Sequence, residues 1–129
     1  MQSYLRKLKI YQTSDGKVPF VKWFNSIKDQ KTRAKIKTRL DRAEEGNLGE
    51  YRSVGQGVFE LKINFGPGYR IYYGLEGDEI IIILCGGDKS TQQKDVLKAQ
   101  QYWADYKGRQ KLKRNSKKPK TIMIFYSKL

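Results

Sequence analysis

The sequence of 129 residues contains no histidine and a single cysteine, Cys85. The absence of histidine removes the side chain that most often serves as a general acid or base and as a metal ligand. A zinc site needs several thiolate or imidazole ligands, and this chain has one such side chain in all. We therefore predict no metal and no other cofactor, and any catalysis must use Lys, Arg, Tyr, Asp or Glu.

Long apolar runs are also missing. No segment approaches the roughly 20 apolar residues that a transmembrane helix needs. The first ten residues, MQSYLRKLKI, lack the apolar core and the cleavage site of a secretion signal. The lone Cys85 cannot form an internal disulfide, which fits a reducing compartment. The expectation is a cytoplasmic protein with no membrane partner.

Acidic residues are scarce, with 13 Asp and Glu against 27 Lys and Arg, so the formal net charge is +14. A field of this sign favours polyanions such as nucleic acid and the ribosome, an acidic partner or an anionic membrane surface. The excess is concentrated at the C-terminal end, where residues 107–129 hold nine basic residues and no acidic one. This distribution predicts a folded domain over 1–107 and a basic tail over 108–129, which either captures nucleic acid or only solubilises the chain.

Alternation and helical spacing predict an α+β fold. Residues 4–12 fit an opening strand with Leu5, Leu8 and Ile10 facing inward. A helical hairpin, a three-stranded antiparallel meander and a C-terminal helix follow. The predicted ranges are a helix opening at Val18-Pro19, a helix over 30–45 capped by Asp29, strands over 58–65, 69–75 and 79–85, and a last helix capped by Ser90 and ending near Gly108. The chain is then expected to be linker-like to Lys120, and 121–129 adds either an edge strand or a core segment.

The polar face of the meander carries the candidate chemistry. If the turn at 66–68 keeps simple pairing, one side of the sheet presents Glu60, Lys62, Arg70 and Tyr72, and Lys89 follows the next strand. These groups would converge on one phosphate, because an Arg fork binds phosphate at two points and a Tyr ring stacks on a base. The alternative is an ordinary solvent-facing sheet in which Glu60 pairs with Lys62 or Arg70.

The second helix carries a basic stripe made of Lys31, Lys35, Arg39 and Arg42. Its functional interpretation is contact with the RNA backbone, and its alternative is a solvated helix face. The glycines at 66–68 and 86–87 match neither a P-loop nor a dinucleotide fingerprint, so both segments are interpreted as turns.

Over about residues 4–107 the chain resembles the RelE/ParE superfamily, specifically the phage-derived killer-protein branch called HigB-like toxins. The matching segments are PFVKWFNSIKD (19–29), RLDRAEEGNLGEYRSVGQGVFELKINFGPGYRIYYG (39–74) and ILCGGDKSTQQKDVLKAQQYW (83–103). The strings GNLG, GPGYRIYY and GGDKSTQ are its most specific parts. The resemblance implies a RelE-like fold.

The same resemblance implies a type II toxin that is neutralised by a helix-turn-helix antitoxin. The toxin–antitoxin complex would bind operator DNA only through the antitoxin. RelE-like toxins cut mRNA, commonly on the ribosome, whereas ParE-like relatives poison DNA gyrase. The leading hypothesis is therefore an mRNA endoribonuclease that inhibits translation. The alternatives are a gyrase poison and a non-catalytic RNA- or ribosome-binding module.

The resemblance also implies site residues. The family's phosphate-binding Arg matches Arg70, its preceding Lys matches Lys62, and the basic residue after the last strand matches Lys89. Glu60 stands where RelE has a basic residue, and a C-terminal Tyr of RelE has no counterpart. Because the RNA 2′-hydroxyl attacks its own phosphate, the enzyme must align the chain, stabilise charge and take a proton. Arg70 and Lys89 are predicted to stabilise the charge, and Glu60 or Lys62 to accept the proton.

Overall fold

The computed structural model describes residues 5–116 and 124–125. In chain order the elements are β1 (Lys7–Ile10), α1 (Pro19–Ser26), α2 (Gln30–Glu44), β2 (Tyr51–Gly55), β3 (Val58–Ile63), β4 (Tyr69–Glu76), β5 (Ile80–Asp88), a 3₁₀ turn (Lys89–Thr91), α3 (Gln92–Ser116) and β6 (Ile124–Phe125). Among these residues, no helix combines the length and apolar character needed to cross a bilayer.

The strands form one sheet in the order β2-β3-β4-β5-β1-β6. The strands β2 to β5 are an antiparallel meander, and β1 joins it in parallel with Leu8 opposite Ile81. The predicted α+β class, opening strand, meander and C-terminal helix are confirmed. The meander has four strands rather than three, because residues 51–55 pair with β3.

Helices α1 and α2 supply the apolar core on one face of the sheet. The predicted helix faces are buried there, with Phe20 and Phe24 from α1 and Ile36 and Leu40 from α2. Asp29 caps α2 as predicted, since its side chain accepts the Lys31 N–H. Of the three inward residues predicted for the first strand, Leu8 and Ile10 are buried, but Leu5 precedes β1 and is 81% exposed.

Helix α3 covers the opposite face. Trp103 packs so closely on β4 that a Cβ at Gly74 would lie 2.5 Å from the indole, and only glycine leaves that space. The neighbouring side chains of this second core include Tyr72, Ile82 and Leu84. The alternative of a solvent-facing second sheet face is therefore wrong where α3 lies on it.

Two predicted element ends differ from the structure. Gly86 and Gly87 continue β5 rather than forming a turn, and they are glycines because Trp23 and Asp95 approach their Cα atoms closely. The cap is Asp88 rather than Ser90, since the Asp88 side chain accepts the Ser90 N–H in the 3₁₀ turn that leads into α3.

The last helix also differs, since α3 passes through Gly108 and reaches Ser116. A helical glycine costs about 1 kcal/mol relative to alanine. Just beyond that glycine, Arg109 contacts the residues that follow β1, since it donates to the Gln12 carbonyl and lies over the Tyr11 ring. Of the segment left open over 121–129, Ile124 and Phe125 form an antiparallel edge strand on β1, and its other residues lie outside those described.

Candidate functional site

The register of β3 and β4 places the predicted polar residues together. Glu60 lies opposite Tyr72, and Lys62 lies opposite Arg70. On its other side Arg70 pairs with Gly87 of β5, two residues before Lys89. The predicted simple pairing across the 66–68 turn is confirmed.

Glu60 is the centre of a buried polar cluster. Its side chain is fully inaccessible, and its Oε1 accepts a hydrogen bond from Arg52 Nε at 2.9 Å. Its Oε2 accepts from the Tyr72 hydroxyl at 3.0 Å and from Gln92 Nε2 at 2.9 Å. Arg70 Nε lies 3.5 Å from the same oxygen. One carboxylate thus joins β2, β4 and α3.

The ionisation of this cluster makes Glu60 an anion and a weak base. Burial alone raises the pKa of Glu60, but hydrogen bonds from Arg52, Gln92 and Tyr72 outweigh it and hold the pKa below its ordinary value. Burial and the neighbouring Glu60 both raise the pKa of Tyr72, so its hydroxyl stays protonated and donates. The geometry therefore supports a positioning role for Glu60 and argues against the predicted role of proton acceptor.

Arg70 and Lys89 flank the turn between β3 and β4. Arg70 is 8% exposed, and its Nη1 donates to the Gly68 carbonyl at 3.1 Å. A Cβ at Gly68 would lie 3.6 Å from Arg70 Nη1 and 3.9 Å from Lys89 Cβ, and the φ of +82° also favours glycine there. Lys89 is exposed. Two cations thus border one small turn, an arrangement that can hold a phosphate.

Lys62 and Tyr72 lie at the predicted positions in the sheet, but their side chains contact other parts of the protein. The Lys62 ammonium lies 3.3 Å from Glu50 Oε2, so it is ion-paired at the edge of the sheet. That contact, together with Asn64, lowers the pKa of Glu50. Tyr72 is completely buried beneath α3, which corrects the prediction that its ring stacks on RNA bases.

The basic stripe of α2 divides into exposed and structural members. Lys31, Lys35 and Arg42 are exposed, and Lys35 lies over the Phe65 ring at 5.4 Å. Arg39 is partly buried and donates to the carbonyls of Leu48 and Asn47. Its guanidinium also occupies the space beside Gly49. Arg39 therefore holds the loop after α2, and the other three are the members of the predicted stripe that are exposed.

Two residues of the cluster escaped sequence reasoning, Arg52 and Gln92. Arg52 sits opposite Glu60 in the β2–β3 pairing, so recognising the Gly55-Gln56-Gly57 segment as a hairpin turn would have found it. All three of those turn residues have positive φ. No pattern in the sequence pointed to Gln92, which reaches Glu60 only because α3 crosses the sheet at that point.

Fold and site together define a basic α+β protein that orients an arginine through a buried carboxylate at the end of a sheet. The family model described as phage-derived protein Gp49-like matches residues 22–102. The chain belongs to this family, which is one of RelE-like type II toxin proteins. It is also 45% identical over 80 residues to an uncharacterised protein of Haemophilus influenzae, an alignment that covers 62% of this chain and 81% of that one.

Proposed function

We propose that this protein is the toxin of a type II toxin–antitoxin pair, of the HigB-like branch, and that it cleaves mRNA without a metal. Membership of the Gp49-like family supports the toxin role. The observation that carries the cleavage activity is that Arg70 and Lys89 border the same turn residue, Gly68, with Arg70 held from behind by Glu60.

In the proposed reaction the 2′-hydroxyl oxygen attacks the adjacent phosphorus, and the bond from phosphorus to the 5′-oxygen breaks. The products are a 2′,3′-cyclic phosphate and a 5′-hydroxyl, so the proton lost from one oxygen is balanced by one gained on the other. Arg70 and Lys89 stabilise the charge that develops on the phosphoryl oxygens. Lys62 exchanges Glu50 for a neighbouring phosphate when RNA binds.

The cluster offers a reason for ribosome dependence. Glu60 is engaged by three hydrogen-bond donors, and Tyr72 holds its proton, so neither is suited to proton abstraction near neutral pH. Lys62, the other predicted proton acceptor, is ion-paired with Glu50. A general base accelerates a reaction about 10²–10⁴-fold. A site that lacks a base with a pKa near the working pH therefore cleaves RNA slowly by itself. We propose that the ribosome supplies the missing alignment of mRNA.

The remaining proposed partners follow from the assignment to type II toxins. The cognate partner is a helix-turn-helix antitoxin, operator DNA is reached only through it, and the site of action is the cytoplasm. The described surface is consistent with a polyanionic target, because Lys31, Lys35 and Arg42 lie exposed on one helix.

The test is brief expression of the wild type and of Arg70→Ala, with Lys111→Gln as a control for loss of one charge. We expect growth arrest and cleaved mRNA with the wild type and the control. We expect at least about 100-fold less cleavage with Arg70→Ala, the usual effect of removing one charge-stabilising donor. Circular dichroism verifies folding. Intact mRNA with altered DNA supercoiling would contradict the proposal and indicate a gyrase poison.

A further inference from the structure

A second surface feature lies at the edge of β5 that faces away from β4, where β5 extends beyond β1. The last register pair of these strands is Ile10 with Ile83, but β5 continues to Asp88. Past that point α1 and α3 border the open edge of β5. Between them is a cavity of about 670 Å³, with Cys85 and Gly86 in its wall. This volume lies within the range of roughly 300–1,000 Å³ typical of small-molecule sites.

The cavity wall combines aromatic rings with cations. Trp23 comes from α1 and Tyr102 from α3, and both are partly exposed. Trp23 is held in place because its indole lies against the Cα of Gly86, where a Cβ would come within 2.4 Å. Burial raises the pKa of Tyr102, so its ring is neutral.

Three lysines border this cavity, Lys17, Lys22 and Lys98, against one carboxylate, Asp95. Lys17 pairs with Asp15 at 3.7 Å. Within the described part of the chain, Lys22 and Lys98 form no ion pair. A basic cavity beneath α2 differs because Arg39 and Lys62 there are engaged by carbonyls and by Glu50. Aromatic rings beside available cations are the combination that binds single-stranded nucleic acid.

We propose that this cavity binds one nucleotide of single-stranded RNA next to the cleaved phosphate. Its base stacks on Trp23 or Tyr102, and its phosphate contacts Lys22 and Lys98. The location fits, since Gly86 directly precedes Gly87, the strand partner of Arg70. The inference rests on the proposed RNA target, and it assigns a binding site to the nucleotide that flanks the cleaved phosphate.

Fluorescence gives a direct test, because the chain has two tryptophans in distinct environments. Trp103 is 5% exposed and stacked on Tyr106, whereas Trp23 lines the cavity. The Trp103→Phe variant, verified as folded by its melting midpoint, leaves Trp23 as the single reporter. The probes are GMP, UMP, inorganic phosphate and a short 2′-O-methyl RNA, which cannot be cleaved because its 2′-oxygen is blocked. We expect the nucleotides and the RNA, but not phosphate alone, to quench Trp23.

Two variants on α3, each losing one positive charge, give a second test. Lys98→Gln should lower the salt slope of 2′-O-methyl RNA binding by about 0.7, the value for one phosphate contact with a single strand. Lys111→Gln, an equal charge change farther along the same helix, should lower it less. Trp23→Ala should weaken binding about 5- to 150-fold if its ring carries a base.

Absence of quenching by the 2′-O-methyl RNA, or equal salt slopes for Lys98→Gln and Lys111→Gln, would overturn the proposal. Protection of the cavity by the antitoxin in place of RNA would overturn it as well. These outcomes are separable from failure of the nuclease assignment. Binding to uncleavable RNA needs no catalysis, and an Arg70-dependent toxin with no Trp23 response would retain its function and lose this site.

Discussion

The two faces of the sheet bury different chemistry. The face under α1 and α2 is closed by aliphatic and aromatic side chains such as Phe20, Ile36 and Ile71. The face under α3 encloses a carboxylate and a guanidinium, Glu60 and Arg70, beside its apolar residues. Buried apolar side chains stabilise in proportion to the area removed from water. Buried ions must first offset the cost of desolvation.

The difference indicates what each face is for. A buried ion pair can often be replaced by apolar residues without loss of stability, so its presence is weak support for a stabilising role. Here the ions hold Arg70 at the turn with Lys89, where no apolar pair could present a positive charge. We infer that the α1–α2 face mainly stabilises the fold and that the α3 face mainly positions the site.

The largest effect should come from removing the central carboxylate. Glu60→Ala leaves Arg52 and the buried Arg70 without their shared partner, and breaking a buried pair from one side costs about 3–5 kcal/mol. We expect a fall of many degrees in the melting midpoint together with loss of toxicity. The matched change on the other face, Ile71→Ala, should cost about 2–5 kcal/mol through its cavity.

Toxicity per folded molecule separates the two variants. Measured below both melting midpoints, Glu60→Ala should be inactive, whereas Ile71→Ala should retain wild-type cleavage. Equal activity of the two would show that the α3 face has no positioning role.

The next effect concerns the far end of α3, where the sequence predicted a tail from residue 108. Arg109 Nη2 donates to the Gln12 carbonyl at 2.6 Å and to Asp105 Oδ2 at 2.8 Å. The same carboxylate accepts from the Tyr11 hydroxyl. Ending the chain after Gly108 should therefore destabilise the protein by about 1–3 kcal/mol. Ending it after Ser116 keeps these contacts and should cost less.

Thermal melts of the two truncated chains, compared with the full chain, check this order. An unchanged midpoint for the shorter chain would indicate that the residues after Gly108 add no stability, as expected of an electrostatic arm. The division into a domain over 1–107 and a tail over 108–129 remains a prediction until then.

How much of the site can be predicted from the sequence depends on the kind of contact. Periodicity placed Glu60, Lys62, Arg70 and Tyr72 on one face, because strand alternation is local and the turn glycines fix the register. Burial of that face could not be predicted, since it depends on where α3 crosses the sheet. The roles of Tyr72 and Glu60 changed for this reason, from ring and base to a hydrogen-bonded support.

A third effect, smaller than the first two, is a pH dependence confined to the α3 face. The folded pKa of Glu60 lies below its ordinary value of 4.5. Its ionised contacts therefore stabilise the fold fully above about pH 4.5, and this contribution is lost as the pH falls through the folded pKa. Glu60→Gln removes this contribution and keeps the shape.

The difference in melting midpoint between wild type and Glu60→Gln removes the pH dependence that the other carboxylates contribute, because both proteins share them. We expect the gap between wild type and Glu60→Gln to stay constant from pH 8 to about pH 5 and to narrow below about pH 4.5. A gap that widens on acidification would mean that Glu60 is protonated in the folded protein, and would reverse its assignment as an anion.

The smallest effect on stability is expected on the outer surface of α2. Replacing Lys31, Lys35 and Arg42 together with Gln should leave the melting midpoint unchanged, because all three are exposed. The same change should lower the salt slope of RNA binding by about 2, given roughly 0.7 for each contact with a single strand.

Arg39→Gln is the contrasting variant, since the Arg39 guanidinium binds the carbonyls of Leu48 and Asn47. It should lower the midpoint and change the slope less than one third as much as the triple variant. An unchanged slope in the triple variant would show a solvated helix face, and RNA capture would then rest on the α3 side of the sheet alone.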